Sequence, residues 1–173
     1  MRRLRSRVQN DIIISAILPV LEKQGFQKLP YPCWWGWSNQ GGGGYEYELA
    51  RLKGEKLQTL KLQTSYGRSC IIFSFGSYIT KPNLASISDL AEYGSEIFFK
   101  AKPYSPKLYP RDQFIAYKIK LCRSEKKLRK KVAKIKERIR TNFFDLDKIY
   151  SDWDKKYAPG IIDLPQINKI GDK

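Results

Sequence analysis

The sequence predicts an α+β fold: an N-terminal helix, an antiparallel meander of about four strands, then helices that include a long basic amphipathic C-terminal one. Three observations predict it. An apolar run opens the chain, short β-branched and aromatic runs punctuated by glycine follow from Phe26 to Ile79, and residues 124–157 repeat apolar side chains every three or four positions. With 173 residues, 42% apolar content and 13% aromatics, the chain can bury a real core. The expected organisation is an α+β domain over 1–110, a helical extension over 111–160 and a tail over 161–173.

The first helix is expected over 9–24, closed by Gly25. Arg2, Arg3, Arg5 and Arg7 precede it as a basic lead-in. Arginines before the apolar run Ile12–Leu21 superficially suggest a signal peptide, but Asp11 and Pro19 interrupt the pattern and no small-x-small cleavage site follows. Ten residues are also too few to span a bilayer.

The meander is expected as runs at 31–38, 44–53, 56–65 and 69–79, with turns at "NQGGGG", at Lys53-Gly54 and at "SYGR". A phosphate-cradling glycine loop hands over to a helix N-terminus. Gly41–Gly44 precede the alternating "YEYELARL" instead, so a wide mobile hairpin loop is expected there. Alternation puts Trp35 and Trp37 on one face of their strand and Trp34 on the other. Trp35 and Trp37 are expected beneath the helices, leaving Trp34 as the exposed ring able to stack on a base. Glu46 and Glu48 read as the solvent face of the next strand rather than as an acid/base pair.

Beyond Lys81, Asp89 with Glu92 three positions on has the spacing of a capping box, and Pro103, Pro106 and Pro110 mark a surface loop. "FIAYKIKL" at 114–121 fits both a strand and a helix, and helix is preferred. In 124–157, Leu128, Val132, Ile135, Ile139, Phe143, Leu146, Tyr150, Trp153 and Tyr157 form one apolar stripe. A continuous helix would be about 50 Å long and would overhang strands of roughly 30 Å. Two helices meeting near Thr141, with an internal cap at Asn142 and Asp145 three residues later, are the alternative.

Charge carries the functional reading. Lys and Arg number 33 against 17 acids, a net charge of +16, which suits a polyanionic partner. Residues 123–140 hold Arg123, Lys126, Lys127, Arg129, Lys130, Lys131, Lys134, Lys136, Arg138 and Arg140 against two acids, so half the net charge sits there. Bases near a helix N-terminus oppose the macrodipole, so local helix energetics did not select the arrangement. A Lys-rich solvated face is the plain explanation. The functional one is a non-enzymatic protein that contacts nucleic-acid phosphates through this segment, the N-terminal arginines and Trp34.

The absence of histidine removes the usual neutral-pH base, histidine-paired nucleophiles and imidazole metal ligation. Cys33, Cys70 and Cys122 are far apart and indicate neither zinc nor disulfides, so a reduced, cytoplasmic protein with no cofactor is expected. A metal-dependent nuclease is a third reading. Its acid-x-Lys element is matched in letters by Glu125-x-Lys127 and Asp154-x-Lys156, both within expected helix and lacking a partner acid in register.

The segments "ILPVLEKQGFQKL" and "LQTLKLQTSYGRSCIIFSFG", with the tryptophan-rich strand between them, resemble the bacterial domain-of-unknown-function family 4304 over roughly residues 15–80. In that family a helix ending in Gly-Phe leads into an antiparallel sheet whose third strand carries Leu-Gln and whose fourth ends in glycine. The resemblance implies an immunity-like binder that occludes a protein partner. Nuclease inhibitors of that kind are usually acidic, and this chain is basic. An immunity-like or adaptor protein with an acidic partner is therefore the second reading.

Overall fold

A computed structural model describes residues 2–33, 35–38, 43–64, 70–94, 114–118, 125–141, 143 and 145–166. Helices pack on a mixed seven-stranded sheet, the α+β class expected. The strands are β1 (Gln27–Lys28), β2 (Trp35–Ser38), β3 (Gly44–Lys53), β4 (Lys56–Thr64), β5 (Cys70–Lys81), β6 (Phe114–Lys118) and β7 (Gly160–Asp163). β3, β4 and β5 form the antiparallel centre. Each edge is shared by two short strands: β1 and β2 both pair with β3, while β6 pairs antiparallel and β7 parallel with β5.

Several expectations change here. The ambiguous run at 114–121 contributes a strand, because Phe114–Lys118 pair with Ser74–Cys70; its β-alternation wins once a long edge is available. β7, inside the expected helical extension and tail, makes the sheet mixed rather than purely antiparallel. Ser86, not Asp89, is the N-cap of the 3₁₀ turn Ile87–Glu92. Asp89 fills the third position of that capping box and accepts from the Ser86 backbone N–H at 2.9 Å.

The N-terminal helix begins well before residue 9: α1 spans Arg2–Ile12, a π turn covers Ile13–Ile17, and α2 runs Leu18–Lys23. The arginines are thus helical residues rather than a lead-in. Pro19 explains the π turn, since it has no N–H and its ring would press on the carbonyl four residues back. That carbonyl belongs to Ser15, and it accepts from Arg140 at 3.1 Å. Gly25, at φ +84°, ends the helix in the left-handed conformation glycine adopts freely.

The long C-terminal helix breaks in two, α3 (Glu125–Thr141) and α4 (Leu146–Tyr157), so it is the alternative that holds. Asp145 caps α4 by accepting from Lys148 N–H at 3.0 Å. The break lets one apolar stripe bend back over the sheet instead of overhanging it. Ile139, Leu146 and Tyr150 are buried in the same cluster as Ile12, Ile17, Leu21, Leu49, Leu62 and Phe73, each worth about 1.5–3 kcal/mol of transfer free energy.

The other sheet face carries a smaller cluster at one end, Leu29, Tyr31, Ala50, Leu57, Ile87, Leu90, Ile162 and Leu164. Towards its other end Glu46 and Glu48 flank Lys61, whose ammonium lies 3.0 and 3.1 Å from their carboxylates. Burial would lower the Lys61 pKa, but the hydrogen bonds to both glutamates outweigh it and raise it. The pair is an ion-paired, partly covered patch, with Glu46 more buried than a solvent face would leave it. Gly44 is not loop either. It opens β3 against Thr64, where an added Cβ would fall 1.8 Å from the Thr64 carbonyl oxygen.

Candidate nucleic-acid interface

An ion pair and a hydrogen bond fix how α3 lies along the N-terminal helix. Lys136 pairs with Asp11 at 2.6 Å, and Arg140 reaches the Ser15 carbonyl. Both contacts join residues separated by the same sequence offset, so the helices run side by side in the same direction. Their N-terminal turns therefore lie at one end of the molecule. That juxtaposition unites the arginine-rich start of the chain with the lysine-rich start of α3, two segments more than a hundred residues apart in sequence.

At this end Arg7, Lys126, Lys127, Arg129 and Lys130 are exposed, Lys131 is half-buried, and Arg2, Arg3 and Arg5 lie in the first turns of α1. Farther along α3, Lys134 and Arg138 are exposed. Burial of the α3 stripe deepens along its length: Val132 and Ile135 are half-buried and Ile139 is 1% exposed. The basic beginning of α3 is thus its less embedded half. Trp34 and Arg123 lie outside the described residues.

Two residues expected at the interface are engaged within the fold. Lys136 is held by Asp11 and Arg140 by Ser15, so both lock α3 to the N-terminal helix. The helix break also revises the dipole argument. Asp145 and Asp147 stand at the N-terminus of α4, where acids are favoured, and Arg138 and Arg140 sit in the last turn of α3, where cations are favoured. Only the bases in the first turns of α3 still oppose the macrodipole.

The tryptophans require a larger correction. Trp35 and Trp37 do share one face, opposite Tyr47 and Tyr45, and it is the face that carries the helices. They are nevertheless 38% and 48% exposed. β2 is an edge strand, whereas α1 packs over β3 and β4, so the rings stand outside the cover. Each indole meets its tyrosine edge to face, Trp35 with Tyr47 at 5.2 Å and Trp37 with Tyr45 at 5.2 Å. The Lys28 ammonium sits 5.4 Å from the centre of the Trp35 ring.

This aromatic edge borders the basic end. Tyr47 donates to Asn10 of α1 at 2.5 Å, and Val8 and Tyr45 pack on the same cluster. Sequence reasoning missed the edge because alternation assigns a face, not a position across the sheet. One signal was available: Gly36, at φ +122°, sits between the rings, and glycine inside a strand pattern marks an irregular strand.

The opposite end of the helix layer is built differently. Arg51, 5% exposed, lies with its guanidinium 4.6 Å from the Phe26 ring centre and 5.7 Å from that of Tyr150. It donates to Gln58 at 2.8 Å, to the Gln24 carbonyl at 3.0 Å and to Asp147 at 2.5 Å. Lys53 also binds Asp147, and Lys56 binds Asp154 at 2.6 Å. Hydrogen bonds from Lys53, then Arg51, hold the Asp147 carboxyl below its usual range against the opposing effect of burial. Asp154 of the Asp154-x-Lys156 match is thus engaged with Lys56. Among the described residues no cluster of three or more potential metal ligands occurs, and no described helix is long and apolar enough to cross a membrane.

No family model, curated protein or solved structure matches the chain.

Proposed function

We propose that the protein is a non-enzymatic nucleic-acid-binding module that grips phosphates with the N-terminal turns of α1 and α3. The observation that carries this reading is the parallel pairing of those helices, which gathers Arg7, Lys126, Lys127, Arg129 and Lys130 at one end with the turn that holds Arg2, Arg3 and Arg5. Two helix N-termini add their partial positive charge to that end, and N–H groups at such ends suit phosphate oxygens. The net charge of +16 draws a polyanion from a distance.

Fluorescence anisotropy with labelled oligonucleotides over a salt series tests the reading. Affinity falls steeply with salt in the wild type. Reversing Lys126, Lys127, Lys130 and Lys131 to glutamate weakens binding, and each phosphate no longer neutralised lowers the magnitude of the log–log salt slope by about 0.9 on duplex DNA. An unchanged affinity and slope in that variant rejects the assignment. No binding to any oligonucleotide at low salt hands the basic end to the second reading, an immunity-like or adaptor protein with an acidic partner.

A further inference from the structure

We infer that the exposed edge strand β2 is a stacking platform for single-stranded nucleic acid, with Trp35 and Trp37 each taking one unpaired base and Lys28 a neighbouring phosphate. The inference rests on the nucleic-acid reading above and adds the substrate class. Two large apolar rings left 38% and 48% exposed on a four-residue strand are not explained by the core, which closes beneath the helices without them. Each meets a tyrosine edge to face, a contact that orients the indole and reduces the ordering a ligand must supply.

Spacing selects the single strand. Residues two apart on a regular strand are about 6.8 Å apart, twice the roughly 3.4 Å step between stacked bases of one strand, and Gly36 between the two rings, at φ +122°, departs further from the regular repeat. The two rings therefore fit bases splayed out of a stack, which a duplex does not present. Base–aromatic stacking tolerates any sequence, because every base has a flat π face. Charge completes the match: the Lys28 ammonium lies over the Trp35 ring, and α1, whose first turns hold Arg2, Arg3, Arg5 and Arg7, meets Tyr47 through Asn10, so a strand laid across β2 runs towards cations.

The test compares Trp35→Ala, Trp37→Ala and the Lys126/Lys127/Lys130/Lys131→Glu variant on labelled oligo(dT), oligo(U) and a duplex of equal length. Each tryptophan variant is expected to lose about 5- to 150-fold in single-strand affinity, the equivalent of about 1–3 kcal/mol per stacked base. Duplex affinity should stay within about twofold and the salt slope unchanged, since stacking releases no counterions. Trp35→Phe and Trp37→Phe keep a ring and should retain most single-strand affinity, which separates stacking from damage to the fold. Single-strand affinity untouched by both alanine variants, or equal losses on single strand and duplex, overturns the platform. If the lysine variant alone loses binding, the phosphate grip stands and the platform falls; if the wild type binds no oligonucleotide, both fall.

Discussion

At the end of the helix layer where β3 turns into β4, Arg51, Lys53 and Lys56 meet Asp147 or Asp154 of α4, whereas at the other end the bases of α1 and α3 crowd together beside exposed tryptophans. The two ends use the same residue types. What differs is their setting: at the first end the cations bind carboxylates of α4, and at the second they gather in the first turns of two parallel helices. At the first end cations join α4 to the sheet, and the guanidinium of Arg51 fills space between two aromatic rings. At the second, positive charge is concentrated where a helix dipole disfavours it, an arrangement a polyanion would relieve. Charge density alone does not mark a site. Arg51, Lys53 and Lys56 are structural cations because the carboxylates they bind belong to another element of the fold.

The sharpest way to break this contrast is at the neutralised end. Tyr150 is 1% exposed, stacks on Phe26 at 6.1 Å, meets Phe75 at 5.6 Å and donates to the Thr59 carbonyl at 2.5 Å. Its replacement by alanine should lower unfolding free energy by about 3–5 kcal/mol in urea titration. A loss below about 1 kcal/mol would mean that this end does not hold α4 to the sheet.

A smaller effect of opposite sign is expected at the basic end. Lys126 and Lys127 stand in the first turn of α3, where a glutamate would be favoured by the dipole. Lys126→Glu with Lys127→Glu should raise thermal stability at low salt by about 0.3–1 kcal/mol for each position, and the gain should shrink as salt is added. A marked destabilisation would show that these lysines support the fold and would remove the contrast between the two ends.

The smallest effect concerns pH. The Asp147 carboxyl titrates below its usual 3.8 in the folded state, so its contribution is complete above that value and is lost as pH falls through the depressed one. Asp147→Asn should therefore melt below the wild type at about pH 6, with the difference closing towards about pH 2. The carboxylate is 53% exposed, which keeps the effect small. A gap that widens on acidification would contradict the pairing with Arg51 and Lys53.

Much of this was legible in the sequence. The periodicities located β2 to β5 and the apolar stripe of α3 and α4, and Gly25 marked the end of the first helix. A second helix was legible from a cap expected at Asn142, although the residue that caps it is Asp145, three positions on. These features follow from local backbone geometry: the period of a strand or helix, a left-handed glycine and a side chain that reaches its own turn.

Contacts between distant segments decided the rest. Whether 124–157 ran straight or broke depended on the size of the sheet below it. The strand at 114–118 needed the free half of β5, and β7 needed the other half. Trp35 and Trp37 lay on the face the alternation assigned, yet they are exposed because β2 is an edge, and alternation says nothing about which strand has a neighbour or a helix above it. Lys136 and Arg140 read as equals of Lys126 and Lys130 until the α1–α3 packing engaged the first two with Asp11 and Ser15. A sequence determines how each segment can present its charges and rings. Which of them find a partner within the chain depends on where the fold brings the other segments, because burial and ion pairing act through space rather than along the backbone.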